Sequence, residues 1–160
     1  MKRVVSFLLV LVLFSISSCV LSSGSYPFAE TYELDYSEEE VKSAIKKFKN
    51  EHPEFNVPLV TINNKGKYSL LDEKVGDPNP HWFKFYFYYK NENQILYTWT
   101  RIESKTETIF AFVSINKGLD IGNWELINDS FSRAENKEHL KRFEKCILSK
   151  VKYYLENPIK

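Results

Sequence analysis

The sequence predicts an α+β fold: an antiparallel sheet meander of about four to six strands, packed with an N-terminal helix and a long C-terminal helix. Two stretches, Ser37–His52 near the start and Leu140–Leu155 near the end, repeat apolar residues at three- and four-residue steps. Between them lie runs of alternating aromatic and aliphatic residues separated by polar turns. The chain has 160 residues, among them 12 Phe, 10 Tyr and 3 Trp, enough apolar material for one domain with a real core.

The first helix is announced by Ser37, which can cap free amides while Glu40, three residues on, reaches back in a capping box. Val41, Ala44, Ile45 and Phe48 then form one apolar stripe, with Lys42, Lys46, Lys47 and Lys49 expected largely on the solvent side. Pro53 stops the helix. Residues 57–73 read as two short strands around Asn63-Asn64-Lys65-Gly66, where Gly66 can adopt positive φ. Two prolines and a glycine make 74–81 a loop. Its Asp77 and His81, with the adjoining Asp72 and Glu73, are hard-ligand types, but the alternating oxygens of a calcium loop are missing and no metal is expected.

Residues 81–116 read as three strands with turns at Asn91–Asn93 and Ser104–Glu107. A three-residue first turn sets Phe87 opposite Tyr97, Phe85 opposite Trp99 and Phe83 opposite Arg101, and a four-residue second turn continues that face with Phe110 and Phe112. This register gathers nearly all the large aromatics into the expected core. The reverse face carries Ile109, Ala111, Val113 and Ile115 on the third strand and Leu96, Thr98, Thr100 and Ile102 on the second; the first contributes Trp82, Lys84, Tyr86, Tyr88 and Lys90. The aliphatic side wants a helix over it, whereas the aromatic side can stay wet. A short strand at Trp124–Ile127 follows. The last helix turns Leu140, Phe143, Ile147, Leu148, Val151, Tyr154 and Leu155 inward and ends before Pro158. Cys146, among these apolar neighbours, reads as a buried inert thiol.

At the N-terminus Lys2 and Arg3 precede an apolar core, Val4–Phe14, too short for a bilayer span of roughly 20 residues. Charged, then apolar, then small is the layout of a secretory signal. Ile16-Ser17-Ser18-Cys19 resembles the bacterial lipobox, in which the cysteine becomes the lipidated first residue. The resemblance to bacterial lipoproteins implies a signal peptide over 1–18, a lipidated Cys19 opening a tether over 19–36, and a single domain over 37–160. It also implies a lipid-anchored domain in the cell envelope. Val20-Leu21-Ser22-Ser23, with neither an Asp after the cysteine nor an acidic run, implies the outer membrane, facing the periplasm.

Once Lys2 and Arg3 are removed, the 22 basic and 21 acidic side chains come close to balance, and no long basic run invites nucleic acid. The sequence has no phosphate-binding Gly-rich loop, no Gly-x-Ser-x-Gly elbow and no paired zinc-ligand spacing. His52, His81 and His139 fall at a helix end, a strand entrance and a solvated helix turn. No catalytic residue and no cofactor is therefore expected. The expectation is a non-enzymatic protein-binding module, such as an immunity protein or envelope assembly accessory. It would use Trp82, Lys84, Tyr86 and Tyr88, since Tyr and Trp offer large rigid contact area. An envelope hydrolase would instead show converging titratable groups in a pocket, and a carrier of a small apolar ligand an enclosed cavity behind the aromatic face.

Overall fold

The computed structural model describes residues 26–75 and 82–158. Cys19, Asp77 and His81 lie outside the described residues. As the sequence predicts, an antiparallel sheet packs with an N-terminal and a long C-terminal helix; both helices lie on one face of it. It is built from β1 (Glu30–Leu34), β4 (Glu73–Val75), β5 (Trp82–Tyr89), β6 (Gln94–Ser104), β7 (Glu107–Lys117) and β9 (Trp124–Leu126). The order is β1-β7-β6-β5-β4, and β9 pairs with β7 beyond the end of β1. A second, smaller sheet joins β2 (Val60–Ile62), β3 (Lys65–Tyr68) and β8 (Asp120–Ile121).

Helix α1 (Glu38–Glu51) begins with the expected box. Ser37 Oγ accepts the Glu40 amide at 3.4 Å, and Glu40 Oε2 accepts the Ser37 amide at 2.9 Å. The C-terminal helix runs as α2 (Arg133–Phe143), one π-helical turn over Glu144–Leu148, and α3 (Ser149–Glu156). Both helices cover the phenylalanine face. Phe143 stacks on Phe112 with ring centroids 4.5 Å apart and also meets Phe110 and Tyr32, while Phe48 packs on Phe87. The predicted helical stripes are the buried ones, Val41, Ala44, Ile45 and Phe48 from α1 and Phe143 to Leu155 from the other.

Several expectations are corrected. Residues 30–34, read as tether, form β1, because Glu30 to Leu34 complete the edge of β7 from Phe112 to Thr108. Lys74 and Val75, read as loop, pair with Phe83 and Trp82 in β4. Lys42 does not face solvent: it is 7% exposed, its ammonium over the Phe83 ring and paired with Glu38 and Glu39. Lys49 is likewise drawn in, donating to the Tyr86 carbonyl at 2.9 Å and to Asp72.

A further correction concerns the middle strand, which is slipped by one residue against both neighbours. Tyr89, not Lys90, stands opposite Gln94, so Phe87 faces Leu96, Phe85 faces Thr98 and Phe83 faces Thr100. Across the next hairpin Thr98 faces Phe112, Thr100 faces Phe110 and Trp99 faces Ala111. The first turn is therefore four residues long, Lys90–Asn93, with Asn93 at φ 52° and its carbonyl receiving the Gly118 amide at 2.7 Å. The outer strands keep their phenylalanines inward, but β6 turns Leu96, Thr98 and Thr100 toward the helices and Tyr97 and Trp99 away. Packing explains the choice: α1 approaches β6 over short side chains, and Thr100 Oγ1 bonds Glu38 at 3.3 Å. A bulge between Tyr97 and Thr98 then returns Ile115 to the helix side. The expected helix over the reverse face is absent from the described residues.

Candidate functional site

The slip of β6 assembles an aromatic face on the side of the sheet away from the helices. Tyr86 stacks on Tyr97, with centroids 5.4 Å apart and planes at 28°, and Trp124 from β9 stands 6.2 Å from Tyr86 and 6.1 Å from Tyr97. Tyr26, the first described residue, packs against Trp82, Tyr97 and Trp99, and its hydroxyl lies 3.0 Å from that of Tyr97. Trp99 is only 4% exposed, so this second cluster is a small core beside the open rings. Tyr86, Tyr97 and Trp124 are half-buried walls of a groove of about 430 Å³.

The groove's far wall is made by Ile121 of the smaller sheet and by Leu70, in the connection that follows β3. That wall is held by buried Asn116. Its amide donates to the carbonyls of Gly118 and Asp120, both at 3.1 Å, and its oxygen accepts the Gly122 amide at 3.3 Å. The turn so formed presents the Asp120 carboxylate to Thr61 Oγ1 at 2.8 Å and to the Asn64 amide at 2.9 Å, fixing the β2–β3 hairpin against β8. The floor is fixed from the sheet edge. Asp72 accepts the Tyr86 amide at 3.0 Å while Lys49 serves the Tyr86 carbonyl, so two side chains from outside the ladder complete the edge of β5.

Of the four residues expected to bind, Lys84 and Tyr86 line the groove, whereas Trp82 packs against Tyr26 and Trp99 in the small core beside it. Lys84 pairs with Glu73 at 2.8 Å and lies 5.9 Å from the Tyr86 ring centre. Burial, the largest single influence, works to lower its pKa, but the Glu73 hydrogen bond and the surrounding Glu73, Tyr86 and Tyr26 groups together outweigh it and hold it above the ordinary lysine value. Tyr88 is not brought into the groove: its hydroxyl donates to Asn93 at 2.8 Å beside the hairpin turn. Sequence reasoning missed Tyr26, Tyr97 and Trp124. Tyr97 was hidden by the register, and Tyr26 by a flanking segment without periodicity.

Burial raises the phenol pKa of both Tyr86 and Tyr97, and Tyr97 is raised further by its bond to Tyr26. The groove is thus lined by neutral rings and hydroxyls with one paired cation. Such a lining can stack, enclose apolar groups and exchange hydrogen bonds, and among the described residues that line it none is poised to move a proton near neutrality. His139, expected on a solvated turn, packs 4.5 Å from Phe131, and burial with Arg142 and Lys117 nearby holds its pKa below the usual histidine value. No three His, Cys, Asp or Glu groups converge as a metal site among the described residues, and no described helix is long and apolar enough to cross a membrane. Compared with known proteins, the chain matches no family model, no curated protein and no solved structure.

Proposed function

We propose that the chain is a lipoprotein of the cell envelope, anchored through Cys19, whose domain is a non-enzymatic protein-binding module. An immunity protein or an envelope assembly accessory fits this description. The observation that carries the reading is the half-buried Tyr86–Tyr97–Trp124 set on an open groove. Stacked, rigid, amphipathic rings of this kind are what a partner's apolar side chains find in a hot spot. The lipobox-like Ile16-Ser17-Ser18-Cys19 supplies the address. Affinity capture of the tagged lipoprotein from its own membranes tests the binding reading. Tyr86→Ser with Trp124→Ser should weaken capture by about thirtyfold, a hot-spot loss of about 2 kcal/mol, while the domain stays folded. Capture that is unchanged by these substitutions would remove the groove from the account.

The groove's volume also suits a small apolar ligand, since such sites span roughly 300–1,000 Å³. Under that second reading the parent protein would carry an extractable apolar compound that the double variant lacks.

A further inference from the structure

Beyond the groove, the β2–β3 hairpin projects from the molecule with apolar side chains that nothing covers among the described residues. Leu59, Ile62, Tyr68 and Leu71 are each between 43% and 59% exposed, and every residue from 62 to 69 is exposed. Asn63 and Asn64, at φ 52° and 56°, make its tight turn, and the Tyr68 ring folds over Gly66, where a Cβ would lie 2.6 Å from ring atoms. Lys65 and Lys67 flank that glycine and have no ion-pair partner among the described residues. The only acids of the 57–75 stretch, Asp72 and Glu73, are taken by Lys49 and Lys84.

We propose that this hairpin docks on an anionic lipid bilayer, with Ile62, Tyr68 and Leu71 at headgroup depth and Lys65 and Lys67 against the phosphates. Tyrosine is favoured at the interface, aliphatic side chains enter it, and each lysine near an anionic surface contributes about fivefold to docking. Two lysines therefore favour docking by roughly thirtyfold on anionic over neutral lipid. The proposal rests on the Cys19 anchor, because the seven residue steps from Cys19 to Tyr26 can span at most about 24 Å. Tyr26 and the hairpin's sheet border the same groove, so a lipid on Cys19 holds the hairpin close to the membrane. A short tether makes even weak insertion intramolecular and hence populated.

The test uses the mature lipoprotein, purified in detergent and reconstituted into vesicles of phosphatidylethanolamine and phosphatidylglycerol. In a Cys146→Ser background, spin labels are placed at Tyr68→Cys, Leu71→Cys and, as a distant exposed control on α3, Tyr153→Cys. Collisions with oxygen relative to a water-soluble nickel chelate should be several-fold higher at 68 and 71 than at 153. That difference should shrink with Lys65→Glu and Lys67→Glu, or when phosphatidylcholine replaces phosphatidylglycerol. Vesicle-bound protein whose labels at 68 and 71 are as wet as at 153 overturns hairpin docking while leaving the anchor intact. Labels shielded from both reagents assign the hairpin to a contact with another copy, which also overturns it. Protein that fails to float with the vesicles has no lipid anchor, and the docking geometry falls with it.

Discussion

The slip of β6 can be measured in solution by two double-mutant cycles. Tyr86 and Tyr97 stack at 5.4 Å on one face, so Tyr86→Ala and Tyr97→Ala should each cost about 2 kcal/mol, and the pair should couple by about 0.5–1.5 kcal/mol. Phe85 and Trp99 lie on opposite faces, belong to different apolar clusters and share no ring contact. Phe85→Leu and Trp99→Phe, chosen to trim volume without emptying either core, should each cost about 1–1.5 kcal/mol and add to within about 0.5 kcal/mol. All four losses stay within the roughly 5–15 kcal/mol of a typical domain, so every variant remains measurable. The assay is urea denaturation followed by tryptophan fluorescence and far-UV circular dichroism, with an unchanged slope required in each variant. The alternative register, with Phe85 facing Trp99 in one core, reverses the pattern. Coupling above about 1 kcal/mol between Phe85 and Trp99, with none between Tyr86 and Tyr97, would refute the slipped strand and the groove with it.

Phe143→Ala should destabilise the domain by about 3–5 kcal/mol in the same assay, since its ring is fully buried against Phe112, Phe110 and Tyr32. Asp72→Ala strips the Tyr86 amide of its acceptor and should cost about 1–3 kcal/mol while lowering partner capture, because it loosens the floor of the groove. The Tyr154 hydroxyl donates to Glu51 at 2.7 Å, and that bond pushes its pKa up to about 12. The folded state thus holds this proton more tightly than the unfolded chain, and the stabilisation, complete below about pH 10, is lost as pH rises toward 12. Ultraviolet titration of the phenols should show several late-titrating tyrosines, of which one moves down in Glu51→Gln. For the proposed anchor, intact-mass measurement should find lipid on Cys19 and none in Cys19→Ala, which should leave an unprocessed or soluble species.

Most of the architecture was legible because local signals agreed with the global fold. The Ser37 and Glu40 box, the stripe from Val41 to Phe48 and the repeat from Phe143 to Leu155 each specify a helix and its buried side without reference to anything distant. What was not legible depended on distant partners. β1 is strand only because the outer edge of β7 needs one, and its five residues, Glu30 to Leu34, show no pattern strong enough to declare it. Lys42 and Lys49 look like members of a solvated face until Phe83, Asp72 and the Tyr86 peptide group arrive from elsewhere in the chain.

The register of β6 has the same origin, and it decides the candidate site. Asn91-Glu92-Asn93 can be counted as a three-residue turn or extended by Lys90 to four, and the local residues favour neither; the choice moves every side chain of the next strand to the other face. Gathering aromatics on one side looks like the way to bury the most area, but α1 must lie across β6. A helix can approach closely only over Leu96, Thr98 and Thr100, where the Thr98 hydroxyl donates to the Phe85 carbonyl and the Thr100 hydroxyl to Glu38. Helix packing therefore sends Tyr97 and Trp99 outward. Trp99 is sealed again by Tyr26 and Trp82, whereas Tyr97, paired with Tyr86 and Trp124, stays half open. The groove is thus a consequence of how the opposite face is packed, so substitutions that enlarge Thr98 or Thr100 should weaken the proposed partner capture without touching Tyr86.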